Sequence, residues 1–157
     1  MEPSVGRRER IDDRIEGLLG GADGEAVALA RRTALDPDDR WYGRLVAVNY
    51  EAVAGTTDPE TVVPASAAIE LLRGYCRLRS ELLVEVDATR SGSTSRDPMA
   101  TLLAGDYLYT SAYSSLRSVD HIAVGDCFRA LTDALEAVTE AFAASNRQEA
   151  DTGRPLP

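Results

Sequence analysis

Asp-Pro pairs at Asp36-Pro37, Asp58-Pro59 and Asp97-Pro98 punctuate this chain, and they constrain its fold more than any other feature. An aspartate side chain accepts hydrogen bonds from the free N–H groups that open a helix. Proline suits the first helical position, where its missing N–H costs nothing. Each pair therefore predicts a helix start, near residues 37, 59 and 98. The segments that follow carry apolar residues at helical spacing, and no alternating β pattern competes with them.

In chain order, residues 7–19 place Ile11, Ile15, Leu18 and Leu19 on one helical face, with Gly20 and Gly21 ending the helix. A short helix follows through EAVALARRTAL. The next is expected to bury a stripe of Trp41, Leu45, Val48 and Ala52, and Gly55 closes it. The helix from residue 59 is expected to reach about Ala88, with Pro64 either in its first turns or resetting it. Its polar residues Ser66, Glu70, Arg73, Arg77, Glu81 and Glu85 recur at helical spacing, opposite Ile69, Leu72, Cys76, Leu83 and Val86. That pattern predicts a solvated stripe. Residues 89–96 read as a polar loop. A fifth helix runs from residue 98. After a break near Val119–Asp120, Phe128, Leu131, Leu135, Val138 and Phe142 mark a sixth, strongly amphipathic one. The expected architecture is an all-α antiparallel bundle, one domain over residues 1–148 with a flexible tail at 149–157.

Composition excludes several classes of function. The chain has 157 residues, 44% of them hydrophobic, enough for one domain with a real core. Its 26 Asp and Glu outweigh 17 basic residues, and every basic residue is Arg. An acidic, lysine-free surface of this kind fits a protein of salt-loving archaea, where screening relieves a net charge of −9. High genomic G+C, which also favours Arg over Lys, is the plainer alternative. No basic patch offers itself to a phosphate backbone, since Arg7, Arg8, Arg10 and Arg14 are interleaved with Glu9, Asp12 and Asp13, so no nucleic-acid partner is expected. Cys76 and Cys127 stand alone in apolar helical patterns and His121 is the sole histidine. Zinc, haem and iron–sulfur spacings are missing, and free thiols in a cytoplasmic protein are expected. Neither a signal peptide nor a stable membrane insertion is expected, since no apolar run is long enough.

Three ordered blocks within residues 61–118 resemble the trans-isoprenyl diphosphate synthases (polyprenyl synthetases). The family pattern E-L-(I/L)-H-x-x-x-L-(I/V)-H-D-D-x-x-D lies without a gap on Glu70 to Val84. Glu70, Leu71 and Leu72 match it. The two histidines fall on Arg73 and Arg79, and the aspartates on Ser80, Glu81 and Val84. Thr89-Arg90-Ser91-Gly92 echoes the R-R-G turn. L-A-G-D-Y-L is intact as Leu103 to Leu108. Upstream, Arg40 matches the first arginine of G-K-R-L-R-P, Tyr42 falls on the second and Gly43 on the proline. The likeness covers about the first half of the family's domain. The second Asp-rich motif has no counterpart.

The resemblance implies the first half of the isoprenoid synthase fold, and a chemistry this chain is poorly equipped to perform. In those enzymes Mg²⁺ bridges the aspartates and an allylic diphosphate, and it neutralises the leaving group as a carbocation forms. Hard oxygen ligands are needed for that, and Ser80 and Val84 supply one poor ligand and none. Glu81 is the carboxylate that remains, with Glu85 one turn on. The expectation is a non-catalytic relative with no catalytic residue, no metal and no cofactor. It would act as a homodimer, or as a structural or regulatory subunit beside a prenyl synthase, with the LAGDYLYTSAYSS helix as the candidate interface. Two alternatives stay open. One is an atypical prenyltransferase or prenyl diphosphate binder, holding a diphosphate through Arg40 and Arg90 and using Mg²⁺ only in that case. The other is an unrelated helical interaction protein.

Overall fold

The computed structural model describes residues 4–54, 58–90, 97–119 and 124–152. Every element among them is an α-helix: α1 (Ser4–Leu19), α2 (Glu25–Leu35), α3 (Trp41–Ala54), α4 (Pro59–Arg90), α5 (Pro98–Arg117) and α6 (Val124–Thr152). The protein is all-α, as the helical periodicity predicts.

α4 is the axis of the bundle. Ser115 on α5 donates to the carbonyl of Pro64, Leu108 meets Gly74, and Asp106 bonds Arg79. These partners run in opposite directions along the two helices, so α4 and α5 are antiparallel. α1 also runs against α5, with Arg14 at Ser115 and Ser118 and Leu18 at Tyr107. Ile11, Ile15 and Leu19 from α1 join Leu71, Leu78, Leu108 and Leu116 in the core. Burying each such side chain contributes about 1.5–3 kcal/mol. α4 continues through Pro64 without a reset.

Two of the three Asp-Pro pairs start helices as expected. Asp97 accepts from the Met99 N–H at 2.9 Å and Asp58 from the Glu60 N–H at 3.2 Å. The pair at 36–37 does not. Asp36 instead ends α2, and α3 begins at Trp41 after a turn. The turn forms because Arg40, at φ 45°, folds its guanidinium back into the protein. It donates to the carbonyl of Ala34 at 2.7 Å, one of the groups that the end of α2 leaves unpaired, and to Asp12.

α3 is rotated from the expected orientation. Trp41, Leu45 and Val48 face solvent, with Trp41 56% exposed, and Ala52 is exposed beside them. The buried side carries Gly43 and Ala47. The polar stripe of α4 is a second correction. Ser66 and Glu70 lie inside the protein, Glu70 at 2% exposure. They bond the backbone of Gly43: Ser66 Oγ donates to its carbonyl and Glu70 Oε1 accepts from its N–H, each at 2.8 Å. Gly43 permits this approach. A Cβ there would sit 3.1 Å from the Ser66 carbonyl oxygen and 3.3 Å from Glu70 Cγ.

α6 packs least deeply. Leu131 is its one fully buried residue among those described, while Phe128, Leu135, Val138 and Phe142 are half-buried. It runs past the expected boundary at 148 to Thr152. The C-terminal residues 153–157, residues 91–96 of the expected loop, Gly55, and Asp120 and His121 at the expected break lie outside the described residues.

Candidate functional site

Among the described side chains, the solvent side of α4 beyond Glu70 is lined by arginines, each engaged by a carboxylate. Arg73 bonds Asp39 at 2.8 Å, and Glu70 lies 3.5 Å away. Arg73 also stands over the Tyr42 ring at 5.3 Å, a cation–π distance. The hydrogen bond from Arg73 holds the Asp39 carboxyl below its ordinary value, helped by the Trp41 N–H. Arg77 bonds Asp36 at 2.8 Å and Glu81 at 3.2 Å. Arg79 bonds Asp106 at 3.0 Å and lies over Tyr75. Asp36 and Asp39 were not singled out as partners by sequence reasoning. The signal available was an acidic Asp-Pro-Asp-Asp run beside a helix whose cations are all Arg.

The L-A-G-D block thus meets the motif helix through Arg79 and Asp106, which stand where the family pattern has a histidine and its own aspartate. Ala104, Gly105 and Leu108 of that block face inward. Tyr75 and Leu78 pack against Gly105, at 3.7 and 4.0 Å from where a Cβ would be, an ordinary contact that an alanine would also make.

At the motif positions themselves, Ser80 Oγ donates to the carbonyl of Cys76 in its own helix at 2.9 Å. Glu81 is held by Arg77 one turn back. Val84 is 70% exposed and offers no donor. These residues do not fit a bridging Mg²⁺: one oxygen serves the backbone, one carboxylate is paired and the third position is hydrocarbon. Among the described residues, no three His, Cys, Asp or Glu side chains converge as a metal site. The side chains of Glu85 and Arg90 lie outside the described residues. Arg40 is buried, and its guanidinium is engaged by Asp12 and by the carbonyls of Ala34 and Leu35.

Next to the motif an apolar pocket of about 280 Å³ opens between α3, α4 and α6. Ile69, Leu72, Cys76, Leu135 and Val138 line it, with Tyr42 and Arg73 at its edge. Burial pushes the Cys76 thiol up, and burial with the nearby Asp126 does the same at Cys127. Both are free and half-buried. Neither is activated as a nucleophile.

The chain is similar to a short chain isoprenyl diphosphate synthase of Methanocaldococcus jannaschii, at 29% identity over an alignment of 107 residues. That alignment covers 56% of this chain and 32% of the enzyme, so the chain spans about a third of that relative's length. The similarity supports a distant relationship. No protein-family model matches the chain, and no solved structure does. No helix among the described residues is long and apolar enough to cross a membrane.

Proposed function

We propose that this protein is a non-catalytic relative of isoprenyl diphosphate synthases. It serves as a structural or regulatory subunit, either paired with a second copy or beside a full-length prenyl synthase. The observation that carries the reading is the state of the three motif positions. A synthase needs several carboxylate oxygens on one helix face to share Mg²⁺ with a diphosphate. Here Ser80 is turned to its own backbone, Glu81 is paired with Arg77 and Val84 is apolar.

The test is incubation of the purified protein with an allylic diphosphate, isopentenyl diphosphate and Mg²⁺. No chain-elongated product is expected. Product whose formation disappears in Glu81→Ala would overturn the proposal.

The subunit role draws support from apolar side chains left at the surface: Trp41, Leu45 and Val48 on α3, and Met99 and Leu103 on the outer side of α5. Sedimentation in high salt is expected to give a dimer or larger. A clean monomer that also fails to co-purify with a prenyl synthase would remove this part.

The apolar pocket beside Arg73 favours a second reading, in which the protein binds a prenyl diphosphate without turning it over. Calorimetry with a prenyl diphosphate separates that from the first. Saturable heat lost in Val138→Glu, at a half-buried position of the pocket wall, supports the second reading.

A further inference from the structure

On the other flank of α6, a cleft of about 640 Å³ lies between α4, α5 and α6. Its wall is aromatic. The ring centroids of Tyr75 and Tyr109 are 5.7 Å apart, and those of Tyr109 and Tyr113 are 5.0 Å apart. Its rim is acidic. Asp106 comes from α5, and Glu136 and Glu140 come from α6. The two glutamates lie one helical turn apart, about 6 Å along the axis.

The cleft already holds one organic cation of its own. The Arg79 guanidinium lies 5.3 Å from the Tyr75 centroid and bonds Asp106 at 3.0 Å. That pairing satisfies one wall. Tyr109 and Tyr113 have no such cation among the described residues, and no ion pair there engages Glu136 or Glu140.

The faces of tyrosine rings carry negative potential and attract cations, most of all weakly hydrated organic ones. Three carboxylates against a single guanidinium disfavour an anion. A neutral ligand would gain nothing from the exposed carboxylates of Glu136 and Glu140, whereas a cation gains their attraction.

We propose that the Tyr75–Tyr109–Tyr113 cleft is a binding site for an organic ammonium ion, held on the tyrosine faces and neutralised by Glu136 and Glu140. This site is separate from the motif positions at Ser80, Glu81 and Val84. Its occupancy does not depend on whether the protein binds a diphosphate.

The experiment is a titration of the whole protein with choline at fixed sodium chloride, following the tyrosine ring signals by NMR. In parallel, 3,3-dimethyl-1-butanol serves as the neutral isostere in which carbon replaces nitrogen. Choline is expected to give saturable shifts in the tyrosine rings, and the isostere is not. Tyr109→Leu and the double variant Glu136→Gln/Glu140→Gln are each expected to weaken choline about fivefold, near the ~1 kcal/mol of one cation–π or surface charge contact. These residues are at the surface, so the variants retain the fold, which circular dichroism checks. Asp126→Asn, at the start of α6 outside the cleft, leaves the affinity unchanged. Equal binding of the isostere, no saturable shift, or full affinity in the double glutamine variant would overturn the proposal.

Discussion

Inside the contact between α3 and α4, the Glu70 carboxylate keeps one oxygen on the Gly43 N–H, and its other lies 3.5 Å from Arg73. That second oxygen accepts no hydrogen bond among the described residues. Truncation would leave the Gly43 N–H buried and unpaired. Glu70→Ala is therefore expected to cost about 2–3 kcal/mol in urea denaturation, and Glu70→Gln, which keeps the acceptor, clearly less. Equal losses in the two variants would show that the bond to Gly43 contributes little. The thiols give a second expectation at this scale. Both are pushed above the ordinary 9.0, so alkylation by iodoacetamide should be slow near neutrality and still rising beyond pH 9. The residue types of this site were legible in the sequence as Glu70-Leu71-Leu72, but their orientation was not. Periodicity shows that Ser66 and Glu70 share a face with Arg77 and Glu81. It does not show that α3 presents a bare backbone to the first half of that face.

For the elements, helix existence followed from local chemistry, and helix rotation did not. α2 and α5 begin and end where periodicity places them, and Asp97 caps the start of α5, because those signals act within a few residues. α3 was misjudged for a tertiary reason. Its large apolar residues are outside, since the close approach of α4 is possible only on the side of Gly43 and Ala47. Gly43→Ala must push back the Ser66 carbonyl and Glu70, and it is expected to destabilise the protein by about 1–3 kcal/mol, the range for an overpacked core. Hydrogen exchange should rank the helices. α6, with one fully buried residue among those described, is expected to lose protection before the centre of α4. Equal protection would mean that α6 is held by more than its stripe.

Across the whole molecule, charge governs the remaining behaviour. A net charge of −9 repels itself, so added sodium chloride should raise the thermal midpoint if the composition reflects adaptation to salt. A midpoint indifferent to salt would favour a plain compositional bias. Acid should act partly through Asp39, whose folded carboxyl lies below the ordinary 3.8 because Arg73 bonds it. Stabilisation from a depressed carboxyl is present above its unfolded value and is lost as pH falls through its folded one. Asp39→Asn should therefore flatten the acid limb of the stability profile below about pH 4. The all-α bundle was readable from the chain at this scale. That Ser80, Glu81 and Val84 stand where the resembled family has aspartates was readable too, because it rests on which residues occupy three positions. Of what the arginines of α4 do, the Arg77–Glu81 pair was readable from its i,i+4 spacing, and the rest was hidden, since Asp36, Asp39 and Asp106 reach them only through the folded turn before α3 and the antiparallel packing of α5.

The most direct test of the non-catalytic reading is calorimetry of an allylic diphosphate with and without Mg²⁺, on the unaltered chain and on Glu81→Ala. No Mg²⁺-dependent heat is expected in either protein. Saturable binding that requires Mg²⁺ and disappears in Glu81→Ala would contradict that reading.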